Sequence, residues 1–157
     1  MELQYLQKLK ENPTIFERTI EGVTEQEIKE YEEKLGVTFP KSYREFLYLA
    51  GDYSGDLTLL EGESGIKELT NPDFITFFEA DKKLGGVSIE RPYWVFSTGT
   101  DGFLYFYLDE KSEDPKVWIC QWGFGEVEIE PYDDFTFSEY INSVIDHSKK
   151  YYKGLYG

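Results

Sequence analysis

The apolar residues of this chain change their spacing near residue 56, and this change limits the fold more than any other feature of the sequence. Before residue 56 they recur every three or four positions, as on one face of a helix. After it they form short β-branched and aromatic runs typical of strands: DLTLL, FITFF, YWVFS, FLYFYLD, KVWICQW and EVEIE. These runs are nearly consecutive, which favours a meandering antiparallel sheet over alternating βαβ units. We therefore expect an α+β fold with a mostly antiparallel sheet of about five or six strands.

Two helices before the strands carry their own start and end signals. Residues 24–27 have the T-x-x-E pattern of a capping box, and the helix that follows ends at Gly36, which tolerates the left-handed conformation. Pro40 then marks the start of a second helix, in which residues 42–45 repeat the capping pattern as S-x-x-E. The apolar face of this second helix is predicted to consist of Tyr43, Phe46, Leu47 and Ala50.

Helices are also predicted at the two ends of the chain. Leucines at positions 3, 6 and 9 indicate a short first helix that ends at the sequence ENPT. Residues 136–139 give T-x-x-E again, and one side of the helix after them carries Phe137, Tyr140, Ile141, Val144 and Ile145. The predicted sheet is therefore flanked by N-terminal helices and a C-terminal helix.

Length and composition predict one compact domain over residues 1–157. The chain has 40% hydrophobic and 18% aromatic residues, enough for a core, and no Pro/Gly/Ser linker or internal repeat divides it. Its first residues, MELQYLQKLKENP, carry charges where a signal peptide has an apolar region, so a cytoplasmic location is expected.

Few side chains in the sequence could carry chemistry. Cys120 and His147 are the single members of their residue types, so a zinc site is not expected. Cys120 lies in the apolar run VWICQW and is predicted to fill the core, whereas His147 is placed near the end of the last helix, where a cation favours the helix dipole. STGTDGF is predicted to be a hairpin turn in which Asp101 and Gly102 supply positive φ angles. We expect no cofactor, no metal and no enzyme, although 31 acidic residues leave a hydrolase-type carboxylate pair open.

Acidic residues outnumber basic ones by 31 to 16, which gives a net charge of −15. Such a surface repels nucleic acid and anionic membranes and attracts basic partners. In EVEIE, strand alternation places Glu126, Glu128 and Glu130 on one face and Val127 and Ile129 on the other, with Asp133 and Asp134 following. We call these five acids the acidic ridge and predict that it binds a partner, the alternative being an ordinary solvated face. The next candidate is the loop with Glu61 and Glu63.

The helix pair and the strands together resemble a known family. TEQEIKEYEEKLGVTFPKSYREFLYLAGDYSG is similar to the amino-terminal motif of the SUKH superfamily, in which an amphipathic helix, a leucine-proline turn and a second helix precede the sheet. The matching positions are Ile28, Glu32, Leu35, Pro40, Tyr43, Phe46, Leu47 and Gly55, while Phe39 stands in place of the usual leucine. YWVFSTGTDGFLYFYLDEKSEDPKVWICQW and FTFSEYINSVI resemble the family's later strands and last helix, so the resemblance covers about residues 20–147.

This resemblance implies a binding protein and not an enzyme. SUKH proteins are best known as bacterial immunity proteins against polymorphic toxins, with a fungal cell-wall regulator as a distant branch. We therefore expect an immunity protein that neutralises a cognate toxin domain by stoichiometric contact. The partner would be basic, and a nuclease or another toxin acting on nucleic acid is one candidate. The alternatives are an intracellular regulatory or scaffold module of the same fold and, third, a small hydrolase.

Overall fold

The computed structural model of the chain describes residues 1–15, 18–55, 57, 63–123 and 125–156, with side chains except those of Ile15 and residues 151–156. Its elements, in chain order, are α1 Gln7–Glu11, β1 Thr14–Ile15, β2 Arg18–Thr19, α2 Glu25–Leu35, α3 Lys41–Ala50, α4 Ile66–Leu69, α5 Pro72–Gly85, β3 Tyr93–Gly99, β4 Gly102–Tyr107, β5 Lys116–Gln121, β6 Glu128–Thr136 and α6 Phe137–Tyr156.

Strands β3 to β6 form an antiparallel sheet whose spatial order follows the chain. This confirms the predicted α+β class and the meander. The sheet has four strands where five or six were expected, and β1 and β2 form a separate two-stranded ladder. Most of the predicted strand DLTLL lies outside the described residues, and Leu57, the one residue of it that is described, is fully buried.

One face of the sheet packs against the helices from the two ends of the chain. The predicted apolar faces of α3 and α6 are buried in one core, together with Leu6 and Leu9 of the amino-terminal segment. The sheet contributes Phe96, Leu104, Phe106, Val117 and Ile119 to this core. Tyr43 lies near its centre, with ring contacts to Phe39, Phe106 and Phe137 at 5.0 to 5.5 Å. The spacing of apolar residues therefore predicted this layer correctly.

The other face of the sheet is covered by a helix that the sequence analysis assigned to a strand. FITFF lies inside α5, so that prediction was wrong. Asn71 caps the helix by accepting the N–H groups of Asp73 and Phe74 at 2.9 and 3.3 Å, and Gly86 ends it with φ 78°. A β-branched and aromatic run of five residues suits either a strand or part of a helix, and here the caps at the two ends favour the helix. The core on this face includes Phe103, Tyr105, Tyr107 and Cys120 of the sheet and Phe78 of α5.

The turn between α2 and α3 is fixed by backbone conformation and one carboxylate. The Thr24 capping box forms as predicted, and Gly36 ends α2 with φ 67°. Glu32 then accepts the N–H of Phe39 at 2.7 Å, which holds the chain in position to start α3. The acidic position of the family motif is therefore a determinant of this turn.

The second predicted capping box, at residues 42–45, does not form. α3 begins at Lys41 after Pro40, so Ser42 is already inside the first turn, and its N–H donates to the carbonyl of Glu113 at 2.9 Å. Glu45 is instead fully buried, and one of its oxygens accepts three backbone N–H groups at 2.9 to 3.0 Å, from Gln4, Tyr5 and Leu6. The motif predicted a local contact, whereas tertiary packing supplies a long-range one.

The remaining local predictions have mixed outcomes. The box at the start of α6 forms, since the Thr136 N–H donates to Glu139 at 3.0 Å. The β3–β4 hairpin is also present: Asp101 has φ 54°, whereas Gly102 pairs with Gly99 as the first residue of β4. The position predicted for His147 was wrong, because α6 continues to Tyr156 and leaves this exposed side chain about two and a half turns from the helix end.

Candidate partner-binding surface

The acidic ridge lies along the edge of the sheet. β6 pairs with β5 only, and Glu126, just before the strand, is exposed together with Glu128 and Glu130 within it. The register aligns Glu128 with Gln121 and Glu130 with Ile119, so both glutamates lie on the same side of the sheet, as alternation predicts. The predicted apolar underside is only partly covered. Val127 packs against the α5-side core, whereas Ile129 is 39% exposed at the sheet edge.

The last two acids of the ridge have a different setting. Asp133 and Asp134 lie inside β6 at a bulge, where four residues stand opposite Val117, and their φ angles are 47° and 58°. Asp134 forms an ion pair with Lys116 of β5. The charge of Asp134 is therefore partly compensated within the chain, and the stronger part of the ridge is the segment from Glu126 to Glu130.

Glu63 does not belong to this surface. It lies beside the opposite edge strand, where its backbone N–H donates to the Thr98 hydroxyl and its carbonyl accepts the Thr98 N–H, both at 2.9 Å. Across the sheet, Thr98 of β3 pairs with Phe103 of β4, Phe103 pairs with Cys120 of β5, and Cys120 pairs with Ile129 of β6. The step from Glu63 to β3 and the three steps from β3 to β6 make four strand spacings, so Glu63 lies roughly 19 Å from β6. Glu61 lies outside the described residues.

A turn residue joins the ridge to form an acidic groove. We use this name for the concavity of about 320 Å³ whose lining includes Asp101, Glu126 and Glu128. Its other lining residues are Thr100, Gln121, Trp122 and Gly123, so no lysine or arginine is among them. The backbone N–H of Trp122 donates to the backbone carbonyl of Asp101 at 2.9 Å. This bond holds the β3–β4 turn next to the segment that leads to β6. Three carboxylates without a cation create a local field that favours a positively charged group.

An apolar stripe on α5 adjoins this groove. We define it as Phe77 and Leu84, whose exposed fractions are 71% and 89%. They are seven residues apart, so they lie on the same side of the helix about 10 Å from each other. The helix ends against the groove at Gly85, where an added Cβ would approach the Trp122 ring to 2.5 Å. Two large apolar side chains with this degree of exposure make the outer side of α5 a candidate for contact with another protein.

The chemically reactive side chains are placed elsewhere. Cys120 is buried in the core under α5, and this burial raises the pKa of its thiol to about 11. Within the described ranges, no group of three or more His, Cys, Asp or Glu side chains is arranged to hold a metal ion. No helix in the described part of the chain combines the length and apolar character needed to cross a membrane.

The fold thus defines an α+β domain with a four-stranded meander between two helical layers. The family model described as SMI1 / KNR4 family (SUKH-1) matches residues 22–143, and the chain belongs to this family. This confirms the resemblance drawn from the sequence. SUKH proteins are immunity or regulatory modules rather than enzymes, so family membership supports a protein-binding role in general terms. No curated protein and no solved structure matches the chain significantly.

Several residues of the candidate surface were missed in the sequence. Asp101 was interpreted only as a turn residue, and its proximity to Glu126 depends on the pairing of β4 with β5. Phe77 lay in a predicted strand and Leu84 in no predicted element. The helix that carries them could have been inferred from the signals at its ends, which are Asn71-Pro72 at the start and Gly85-Gly86 at the end.

Proposed function

We propose that this protein is an immunity protein that holds a cognate toxin domain inactive by stoichiometric contact. The observation that carries the proposal is the acidic groove, in which Asp101, Glu126 and Glu128 converge without a compensating cation in the lining. Membership of the SUKH-1 family supports it, because immunity against toxins is one of the roles within this superfamily.

The proposed partner is a basic protein domain. A net charge of −15 attracts it over a distance, and the groove concentrates that field at one place. A lysine or arginine of the toxin would enter the groove, while Phe77 and Leu84 would pack against apolar side chains beside it. Such a division of roles is common, because buried apolar anchors supply affinity and charges at the rim supply association rate and specificity.

An intracellular regulatory or scaffold module is the second candidate function. Family membership supports it equally, since the superfamily includes regulators. It differs in its expected partner, because a regulator would bind a protein that does not kill cells. A small hydrolase is the third candidate, and turnover of an ester, glycoside or phosphodiester that depends on one carboxylate would favour it over binding.

Co-expression with the toxin domain encoded beside its gene tests the proposal. The wild-type protein should restore growth and co-purify with the toxin as a complex of fixed stoichiometry. The variant carrying Asp101→Asn, Glu126→Gln and Glu128→Gln should restore growth poorly, because the groove loses its charge while the side chains keep their shape.

A matched control shows whether the effect is local. Glu11→Gln, Glu30→Gln and Glu33→Gln remove the same charge from exposed positions on α1 and α2. This variant should protect like the wild type. Equal protection by both variants would remove the groove from the interface, and a neighbouring protein that is not toxic would favour the regulatory module.

A further inference from the structure

A second cleft lies at the start of α3 and differs from the acidic groove in its charge. We call it the Arg44 cleft. It has a volume of about 560 Å³, and its lining includes three basic side chains, which are Lys41, Arg44 and Lys111. Its apolar lining is formed by Val37, Phe39, Pro40, Pro92, Tyr107 and Leu108. Basic residues concentrated in one cleft are unusual in a chain with a net charge of −15.

Arg44 has an unsatisfied hydrogen-bonding group in this cleft. Its Nε is buried and has no hydrogen-bond partner, and its guanidinium makes no ion pair within the described part of the chain. Arg91 provides the contrast, because its guanidinium donates to both oxygens of Asp109 at 2.8 and 3.1 Å. The Arg44 side chain as a whole is half-buried, so a ligand in the cleft would meet the terminal amino groups of the guanidinium, which have no carboxylate partner among the described residues.

The charge balance of the cleft indicates the charge of the ligand. Lys41 lies 3.7 Å from the buried carboxylate of Glu45, so its charge is largely compensated. Arg44 and Lys111 remain, together with the carboxylate of Glu113, which accepts the Tyr5 hydroxyl at 2.8 Å. Two positive groups and one negative group favour a ligand with a single negative charge. A carboxylate meets this condition and also matches the fork of the guanidinium, whereas a doubly charged phosphate is disfavoured by Glu113.

The apolar lining indicates what the carboxylate is attached to. Val37, Pro40 and Leu108 are half-buried and Pro92 is exposed, so these four residues provide aliphatic surface next to the basic side chains. A carboxyl-terminal residue with an apolar side chain carries both features in one unit. An internal Asp or Glu would need a second residue to fill the apolar part.

We propose that the Arg44 cleft binds the carboxyl terminus of a partner chain whose last residue is apolar. Arg44 pairs with the terminal carboxylate, Lys111 adds attraction, and the last side chain packs on Val37, Pro40 and Leu108. This site is separate from the acidic groove, so the proposal does not depend on whether the partner proposed above is a toxin.

The test uses N-acetylphenylalanine as the probe and nuclear magnetic resonance of the ¹⁵N-labelled full chain as the measurement. The Arg44 Nε–H signal and the backbone amides of residues 36–39 and 41 should shift with a saturable Kd on the order of 1 mM, as expected for so small a ligand. N-acetylphenylalanine amide, which lacks the carboxylate, and inorganic phosphate should give no saturable shift at these signals. Acetate should bind more weakly than the probe, because it lacks the ring.

Variants then assign the contact to Arg44. Arg44→Gln should weaken probe binding by about tenfold or more, since it removes a charged hydrogen-bond donor. Lys67→Gln on α4 is the control for the loss of one positive charge and should leave binding unchanged, because that lysine pairs with Asp52 and does not line the cleft. Lys111→Gln changes an exposed side chain and should weaken binding severalfold, which keeps the test valid if Arg44→Gln does not fold. No shift in the wild type, equal binding of the amide or phosphate, or wild-type affinity in a folded Arg44→Gln variant would each overturn the proposal.

Discussion

At the scale of single residues, a buried carboxylate can make long-range contacts in place of the local contact that its motif suggests. Glu45 is the clearest case. It belongs to α3, within the range matched by the family, yet its oxygen accepts N–H groups from residues 4–6, which precede that range. One side chain thus fastens the amino-terminal segment to the family fold, and Leu6 and Leu9 of that segment become part of the core.

Removal of this carboxylate should destabilise the protein strongly. Glu45→Ala leaves three backbone N–H groups without their acceptor, so we expect a loss of about 3 kcal/mol or more in the free energy of unfolding. Glu45→Gln should lose less, because its amide oxygen can still accept. Urea unfolding followed by circular dichroism measures both variants. Glu33→Ala, at an exposed position on α2, serves as the control and should stay within about 0.5 kcal/mol of the wild type. An unchanged midpoint for Glu45→Ala would contradict the assigned role.

The buried thiol predicts a specific loss of stability at high pH. Burial raises the pKa of Cys120 to about 11 from an ordinary value of 9.0. Between these values the unfolded chain loses the thiol proton while the folded chain keeps it, so the unfolded state is favoured increasingly as the pH rises. The free energy of unfolding should therefore fall more steeply between pH 9 and pH 11 for the wild type than for Cys120→Ala. Equal slopes for the two proteins would show that the thiol ionises freely in the folded state.

At the scale of elements, α5 determines how the second face of the sheet is covered. Asn71 and Gly86 fix its ends, and Phe78 contacts Phe103 of the sheet with ring centroids 5.5 Å apart. Lys82 is also buried under this helix, where it donates to the Tyr93 hydroxyl at 2.8 Å and pairs with Glu79 at 2.7 Å. Phe78 and Lys82 thus face the sheet, whereas Phe77 and Leu84 are exposed and available to another molecule.

Replacement of a phenylalanine by alanine should have very different effects on stability at two positions on different helices. Phe46 of α3 is 2% exposed, so Phe46→Ala should cost roughly 3 to 5 kcal/mol of stability. Phe77 of α5 is 71% exposed, so Phe77→Ala should change stability by less than about 0.5 kcal/mol. Denaturant melts measure this difference.

The same exposed ring should matter for the partner. Phe77→Ala, especially when combined with Leu84→Ala, should increase the rate of dissociation from the toxin domain, because apolar anchors contribute mainly to the lifetime of a complex. Surface plasmon resonance gives this rate. If the folded double variant dissociates like the wild type, the apolar stripe lies outside the interface.

At the scale of the whole molecule, charge is distributed unevenly and suggests two different binding surfaces. The acidic groove and the acidic ridge lie at one edge of the sheet, whereas the Arg44 cleft lies at the start of α3. A basic surface and a carboxylate would therefore be directed to different places on the domain. The large net charge acts on all partners, but only local geometry distinguishes between them.

Charge reversal on the ridge should slow association with the toxin domain. In the variant Glu126→Lys, Glu128→Lys and Glu130→Lys, the association rate should fall well below that of the wild type, and the dissociation rate should change less. The wild-type association rate should also fall as salt rises, because exposed charges are screened over about 8 to 10 Å at physiological ionic strength. Stopped-flow measurements at several salt concentrations give both rates.

Reversal of Glu11, Glu30 and Glu33 to lysine is the control for this variant, since it changes the net charge equally on helices that do not line the groove. It should slow association only slightly. Unchanged kinetics for the folded ridge variant at low salt would show that the ridge is a solvated face and that the contact lies elsewhere.

The sequence by itself determined the parts of this protein whose signals act within a few residues. The capping box at Thr24, the left-handed end at Gly36, the β3–β4 hairpin and the apolar face of α6 depend on local backbone chemistry and on the spacing of apolar residues. For that reason the α+β class, the meander and the family resemblance were all predicted correctly. Net charge is likewise a property of composition alone.

Only the tertiary structure decided the contacts between residues that are distant in the chain. It folded FITFF into a helix over the sheet, gave Glu45 its partners 39 to 41 residues away, placed Asp101 beside Glu126 and Glu128, and separated Glu63 from them by the width of the sheet. The physical reason is that burial and strand register depend on the packing of whole elements. A run of apolar residues shows that something will be buried, but only the assembled core fixes which neighbours a side chain meets.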